Sequence, residues 1–175
     1  MKTWLQELVQ TTNGRPFTTD EIMRLSAAVE ALPDRLAAIR KMEECQKWLV
    51  RQLSEHIAPR AAEWGLPKDP FSNDFVNLLT ALSHAVLSDD LDLVNTTIVK
   101  PCQQLAAALE IDPGEFGTLF EVAWTTISQR CESQSISPLK PFFQRAMDEL
   151  KTSDWVPSSH HAMPTETREL AALEV

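Results

Sequence analysis

Cysteine, clustered positive charge and long apolar runs are all scarce in this chain. The three cysteines, Cys45, Cys102 and Cys131, are odd in number, far apart and free of any C-x-x-C pair. That excludes the disulfide framework of a small secreted domain and leaves reduced thiols in a cytosol as the expectation. Lys and Arg number 16 against 25 Asp and Glu, for a net charge of -9 without any basic cluster. An electrostatic footprint for a phosphate backbone is therefore missing, and nucleic acid is not expected as a partner. The longest apolar stretch without a charge, Phe75 to Ser88, has 14 residues and includes Asn77, Thr80, Ser83 and His84, too short and too polar to span a bilayer. Met1-Lys2-Thr3-Trp4 opens no secretory h-region. Gly-rich phosphate loops, G-x-S-x-G and H-E-x-x-H are missing too, so no catalytic set can be named and an enzyme is not expected.

What is there points to helices. Of the 175 residues, 43% are hydrophobic and 23% charged, enough apolar material for one core in a chain of this length. Apolar positions recur at helical spacing and β-branched alternation is rare, so the class is all-α. Trp4, Leu5, Leu8 and Val9 form the stripe of a short first helix that stops at Asn13-Gly14. Thr18 and Glu21 make a capping box for a second helix with Ile22, Leu25, Val29 and Leu32 on its apolar face. The two are expected to form a hairpin over residues 1–32. Pro33 suits the first turn of a new, long helix whose apolar positions Leu36, Ile39, Met42, Trp48, Leu49 and Leu53 run to about Ile57, ahead of Pro59. Gly65, Pro67 and Pro70 mark a loop, and Asn73 to Ser88 a core helix. Pro101 is expected to split Leu91 to Leu109 into two helices. Asp112-Pro113-Gly114-Glu115 starts another, to about Arg130, and Ser137-Pro138 opens the last, with Leu139, Phe142, Phe143, Ala146 and Leu150 as its buried face. Residues 152–175, with Pro157, His160-His161 and Pro164, read as a mobile tail beyond a domain at 1–151.

One motif narrows this description. Gly14-Arg15-Pro16-Phe17-Thr18-Thr19-Asp20-Glu21-Ile22 resembles the phycobiliprotein pattern of Gly-Arg, two large residues, Ser/Thr, two variable residues and Glu-Leu. Arg35, Lys41-Met42, Asp74-Phe75-Val76-Asn77-Leu78-Leu79, the acidic turn at Asp89-Asp90, Leu109-Glu110-Ile111 and Phe142-Phe143-Gln144-Arg145-Ala146 continue the resemblance in order. It covers about residues 1–150. The resemblance implies a globin-like domain of seven to nine helices, with an N-terminal helical hairpin that extends outward to bind a second subunit.

The departures from that pattern bear on chemistry. Phe71 stands where pigment subunits carry the cysteine whose thiolate forms a thioether to a linear tetrapyrrole. Asn73 replaces a propionate-binding Arg, Thr11 an Asp used in subunit pairing, and the preceding loop is shorter, while Asp74 is retained. No covalent chromophore, metal or other bound cofactor is expected. Each remaining feature also has a plain structural explanation. Asp74 would cap its helix, and His84 would be a hydrogen-bonded core histidine rather than a haem ligand. His160-His161 would be solvated, Glu43-Glu44 and Asp89-Asp90 would face solvent, and Cys45 and Cys102 would be core residues beside a half-buried Cys131.

The leading expectation is a non-catalytic phycobiliprotein-like adaptor. It would bind phycobilisome or photosystem subunits, or a second copy of itself, through Trp4, Leu5, Leu8, Val9, Ile22, Leu25 and Val29, with Arg15 and Arg35 as polar anchors. The alternative is a carrier that holds bilin or haem without a covalent bond, on Asp74, Phe75, Leu78 and His84. Either would work in the cytoplasm, at most peripheral to a thylakoid membrane.

Overall fold

The structure, a computed structural model, describes residues 8, 10, 12, 14–63 and 72–152. Among these residues the fold is all-helical, without a strand. The elements are α1 (Thr19–Glu44), α2 (Gln46–Glu63), α3 (Ser72–Ser88) and α4 (Leu91–Val94), then a π turn (Asn95–Val99), α5 (Lys100–Leu109), α6 (Gly114–Arg130) and α7 (Ser133–Ile136), and finally a 3-10 turn (Ser137–Leu139) and α8 (Lys140–Lys151). Leu8, Gln10 and Thr12 are helical as well. The rest of the expected first helix and the expected tail from residue 153 onward lie outside the described residues.

The core is built on α3, α6 and α8. Phe75, Phe120 and Phe143 come one from each helix, with ring centroids 5.6 Å apart for the first pair and 6.2 Å for the second. Trp124 extends the chain of rings, 5.4 Å from Phe143. Tilted and edge-on contacts at these separations suit the quadrupoles of the rings and add to the burial term. The most extensive helix pairing is α6 with α8, and Gly117 lets the two approach closely. A Cβ at that position would fall 2.9 Å from Lys151 Cγ and 3.4 Å from Leu150 Cβ. The face expected for the last helix, Leu139, Phe142, Phe143, Ala146 and Leu150, is buried in full.

Three prolines do not act as the sequence expectation has them, and one helix breaks where none of them stands. Pro33 opens no new helix: α1 runs through it from Thr19 to Glu44. Pro33 and Val29, the residue one turn earlier whose carbonyl loses its partner, are both exposed, so water can take the place of the missing N–H. Pro59 is likewise accommodated inside α2, where it and Glu55 are exposed. The long helix breaks instead at Cys45, whose N–H donates to the carbonyls of Lys41 and Met42 and whose carbonyl accepts from Trp48 and Leu49. At Pro101 the chain widens rather than stops. The π turn just before it carries a Lys100 N–H bond to the Asn95 carbonyl, which makes room for the proline ring and keeps one continuous helical run. The hydroxyls of Thr96 and Thr97 donate back to the Leu93 carbonyl at 3.2 and 2.6 Å, as helices do where they bend.

Two side chains assigned to the apolar face of the long helix are exposed, Leu36 at 39% and Trp48 at 44%. Ala38, Met42, Cys45, Leu49, Leu53 and Ile57, with Ile39 beside them, recur at three-and-four spacing through the break and are the buried face; Leu36 and Trp48 lie off it. Trp48 is covered on one face by the Arg130 guanidinium, 3.7 Å from its ring centroid, a cation–π contact.

Phe143 is fully buried and touches Phe120 and Trp124. Phe143→Ala should lower the unfolding free energy by about 3–5 kcal/mol, read as a fall in the urea midpoint at unchanged m-value, whereas Leu36→Ala should leave that midpoint nearly where it is.

Candidate docking face

From Thr19 to Ala37, α1 buries none of its side chains; its only buried residues, Ala38, Ile39 and Met42, lie in its last two turns. The helix is therefore divided into a C-terminal part that belongs to the core and an N-terminal part that does not. Along the second part Ile22, Leu25, Val29, Leu32 and Leu36 recur at intervals of three and four, which places them on one stripe. Leu25 is half-buried, while Ile22 is 55% and Val29 66% exposed. Met23 and Phe17 add further exposed apolar surface beside the stripe.

Polar contacts hold the start of this helix. Glu21 N–H donates to Thr18 Oγ1 at 3.3 Å while Thr18 N–H donates to Glu21 Oε2 at 2.7 Å, a complete capping box. Arg15 reaches over the turn and gives Glu21 two parallel bonds of 2.9 and 2.6 Å, the bidentate fork that guanidinium and carboxylate favour. The pair raises the pKa of Arg15 and holds Glu21 down to about 2, through the Arg15 bonds first and the Thr18 N–H second. At the other end of the stripe, Arg35 pairs at 2.5 Å with Asp89, a residue in the left-handed conformation at the end of α3 with φ of 51°. Arg15 and Arg35 thus serve as intramolecular ties at either end of the exposed segment.

Of the candidate partner-binding residues, Ile22, Leu25 and Val29 share one stripe between these two arginines. Leu8 is half-buried and Thr12 buried, whereas Trp4, Leu5, Val9 and Thr11 lie outside the described residues. Met23 was not among the residues expected from the sequence, and Leu36 was assigned to the apolar face of a separate helix, because Pro33 divides the three-and-four spacing that runs from Ile22 to Leu36.

The four candidate tetrapyrrole contacts are not brought together. Asp74 is exposed in the first turn of α3, the third residue of the helix rather than its cap, where a carboxylate still suits the helix dipole. Phe75 is packed on Phe120 and Leu78 is half-buried against the core. His84 is exposed, not a core histidine, because the inward face of α3 is taken by Phe75, Leu79, Leu82 and Val86. It lines an open groove of about 490 Å³ between α1 and α3, together with Arg40, Glu43, Val76, Thr80 and Leu87. Ten residues separate Asp74 from His84, roughly 15 Å along the helix axis.

The paired carboxylates have separate duties. Asp90 caps α4 by accepting from Asp92 N–H at 2.9 Å, and Glu44 pairs with Lys41 at 2.8 Å. No group of three or more His, Cys, Asp or Glu among the described residues could hold a metal ion, and no helix among them is long and apolar enough to cross a membrane. Missed altogether was a pair of thiols: Cys45 and Cys131, 86 residues apart in sequence, have their sulfurs 3.7 Å from one another. No protein-family model matches the chain, and no curated protein matches it.

Glu21 titrates below its ordinary value of 4.5 when the chain is folded, so its contribution to the helix start is complete above that value and fades as pH falls toward about 2. Carboxyl-resolved NMR should find the Glu21 midpoint well below those of its neighbours, and Arg15→Ala should move it back up.

Proposed function

We propose that the chain is a non-catalytic, phycobiliprotein-like adaptor with a globin-like helical domain and no covalent chromophore, which captures another protein on the N-terminal part of α1. The observation that carries this reading is the exposed stripe from Ile22 to Leu36 on a helix segment that buries nothing in its own core. A solvated helix of this length would ordinarily show polar residues all round, and an apolar stripe on one is costly to leave in water. Aliphatic side chains at three-and-four spacing are what a helix offers to a groove or to another helix of a partner. The rigid ends support the same use. With Arg15 tied to Glu21 and Arg35 tied to Asp89, the segment is ordered before binding, so less entropy is lost on association.

The resemblance at Gly14 to Ile22 favours phycobilisome or photosystem subunits as the partner class, since in that family the N-terminal helices are where subunits meet. The aliphatic stripe supplies the affinity in this reading, and Arg15 and Arg35 act by holding the segment in place rather than by reaching across.

A second reading, a carrier of bilin or haem without a covalent bond, is favoured by one observation: His84 presents an exposed imidazole at the groove between α1 and α3. Against it, Asp74, Phe75 and Leu78 do not line that groove with His84.

Two experiments separate the readings. Ile22→Asp combined with Val29→Asp should abolish capture of purified phycobilisome or photosystem subunits while leaving the helical circular dichroism and Tm unchanged; retained capture would sink the adaptor. Protein purified from a bilin-producing host should be colourless and stay so with added haem. A saturable visible band that His84→Ala removes would establish the carrier instead.

A further inference from the structure

The thiols of Cys45 and Cys131 meet where three segments join. Cys45 ends α1 and starts the turn into α2, and Cys131 ends α6 with an extended backbone, φ -119° and ψ 149°. The two sulfurs stand 3.7 Å apart with both thiols free. Their proximity does not depend on themselves alone. Trp48, three residues after Cys45, lies under the guanidinium of Arg130, the residue before Cys131, so a separate cation–π contact holds the two backbones side by side. The sulfurs differ in access: Cys45 is 7% exposed, while Cys131 is half-buried at the surface. Burial, the bond with Cys131 and the Cys131 charge push the Cys45 thiol pKa up, and Arg130 opposes them. Lys41 is the second cation in electrostatic reach of both sulfurs.

We propose that Cys45 and Cys131 form a peroxide-reactive dithiol site, which hydrogen peroxide converts to an intramolecular disulfide. The pair lies outside the docking stripe, and the inference does not rest on the adaptor reading. Cys131, the accessible partner beside Arg130, is the attacking group. After losing its proton to solvent, its sulfur attacks one peroxide oxygen; an S–O bond forms, the O–O bond breaks, and the departing hydroxide takes up a proton to become water. The Cys45 sulfur then attacks the Cys131 sulfenic acid. As the S–S bond forms, the S–O bond breaks, and the leaving hydroxide combines with the Cys45 proton to give a second water. The two thiols together lose two electrons and the peroxide gains them. Bond formation requires the sulfurs to close from 3.7 Å to about 2.0 Å, a shift that small side-chain rotations can supply. The third thiol is a built-in control. Cys102 is buried, its pKa is pushed up to about 12 by that burial, and nothing comparable stands beside it.

The experiment uses the full chain, reduced, freed of reductant and treated with hydrogen peroxide. Free thiols are then alkylated in denaturant and the protein is digested without reduction for mass spectrometry. The expected product is one linked peptide pair joining Cys45 to Cys131, lighter than the separate peptides by two hydrogens, with Cys102 alkylated. Because the bond closes a long loop, oxidised protein should melt on the order of 10 °C higher than reduced protein. Cys131→Ser and Cys45→Ser should each show neither the linked peptide nor the shift. Free, alkylatable Cys45 and Cys131 in the wild-type chain after peroxide would overturn the proposal. So would overoxidised Cys131 beside a free Cys45, or a disulfide that joins two chains or involves Cys102.

Discussion

The contact of Phe75, Phe120 and Phe143 fixes α3, α6 and α8 against each other, and the remaining helices are placed by reference to it. Phe120 and Phe143 are fully buried and Phe75 nearly so, and each ring comes from a different helix. A shift of any of the three would separate at least one pair by more than aromatic contact allows. Gly117 and the small Ala123 and Ala146 keep the α6 and α8 backbones near enough for the rings to meet. On this platform α2 lays Leu49, Leu53 and Ile57, and α1 adds only its last turns.

That economy in α1 is what leaves an apolar surface uncovered. A helix of 26 residues that placed its whole apolar face on the core would be a structural element and nothing more. Here the core occupies the far end, and the stripe from Ile22 to Leu36 stays in solvent while the capping box and the Arg15 and Arg35 pairs hold it in shape. Such surface pairs add little net stability when exposed. Their effect lies in reducing the conformations available to the chain on either side of the stripe.

The break at Cys45 connects this surface to the dithiol. One position ends the helix that carries the stripe, turns the chain into α2 and sets a sulfur beside that of Cys131. The Arg130–Trp48 contact spans the same junction, beside the two thiols.

Helical periodicity, the Thr18–Glu21 capping box, the Asp112 turn and the buried face from Leu139 to Leu150 were all legible in the sequence, because each is encoded within one or two turns of chain. Asp112 indeed accepts from Gly114 N–H at 2.7 Å. Pro33, Pro59 and Pro101 misled, since whether a proline ends a helix depends on whether water or a widened turn can satisfy the carbonyl it strands, and only tertiary exposure decides that. The outward position of His84 and the meeting of Cys45 with Cys131 were likewise set by packing. By itself the sequence determined the helical class, the capping box at Thr18 and Glu21 and which residues are apolar, all local quantities. The tertiary structure alone decided which apolar residues remain uncovered and which distant groups touch, because those follow from how helices far apart in the chain compete for one core.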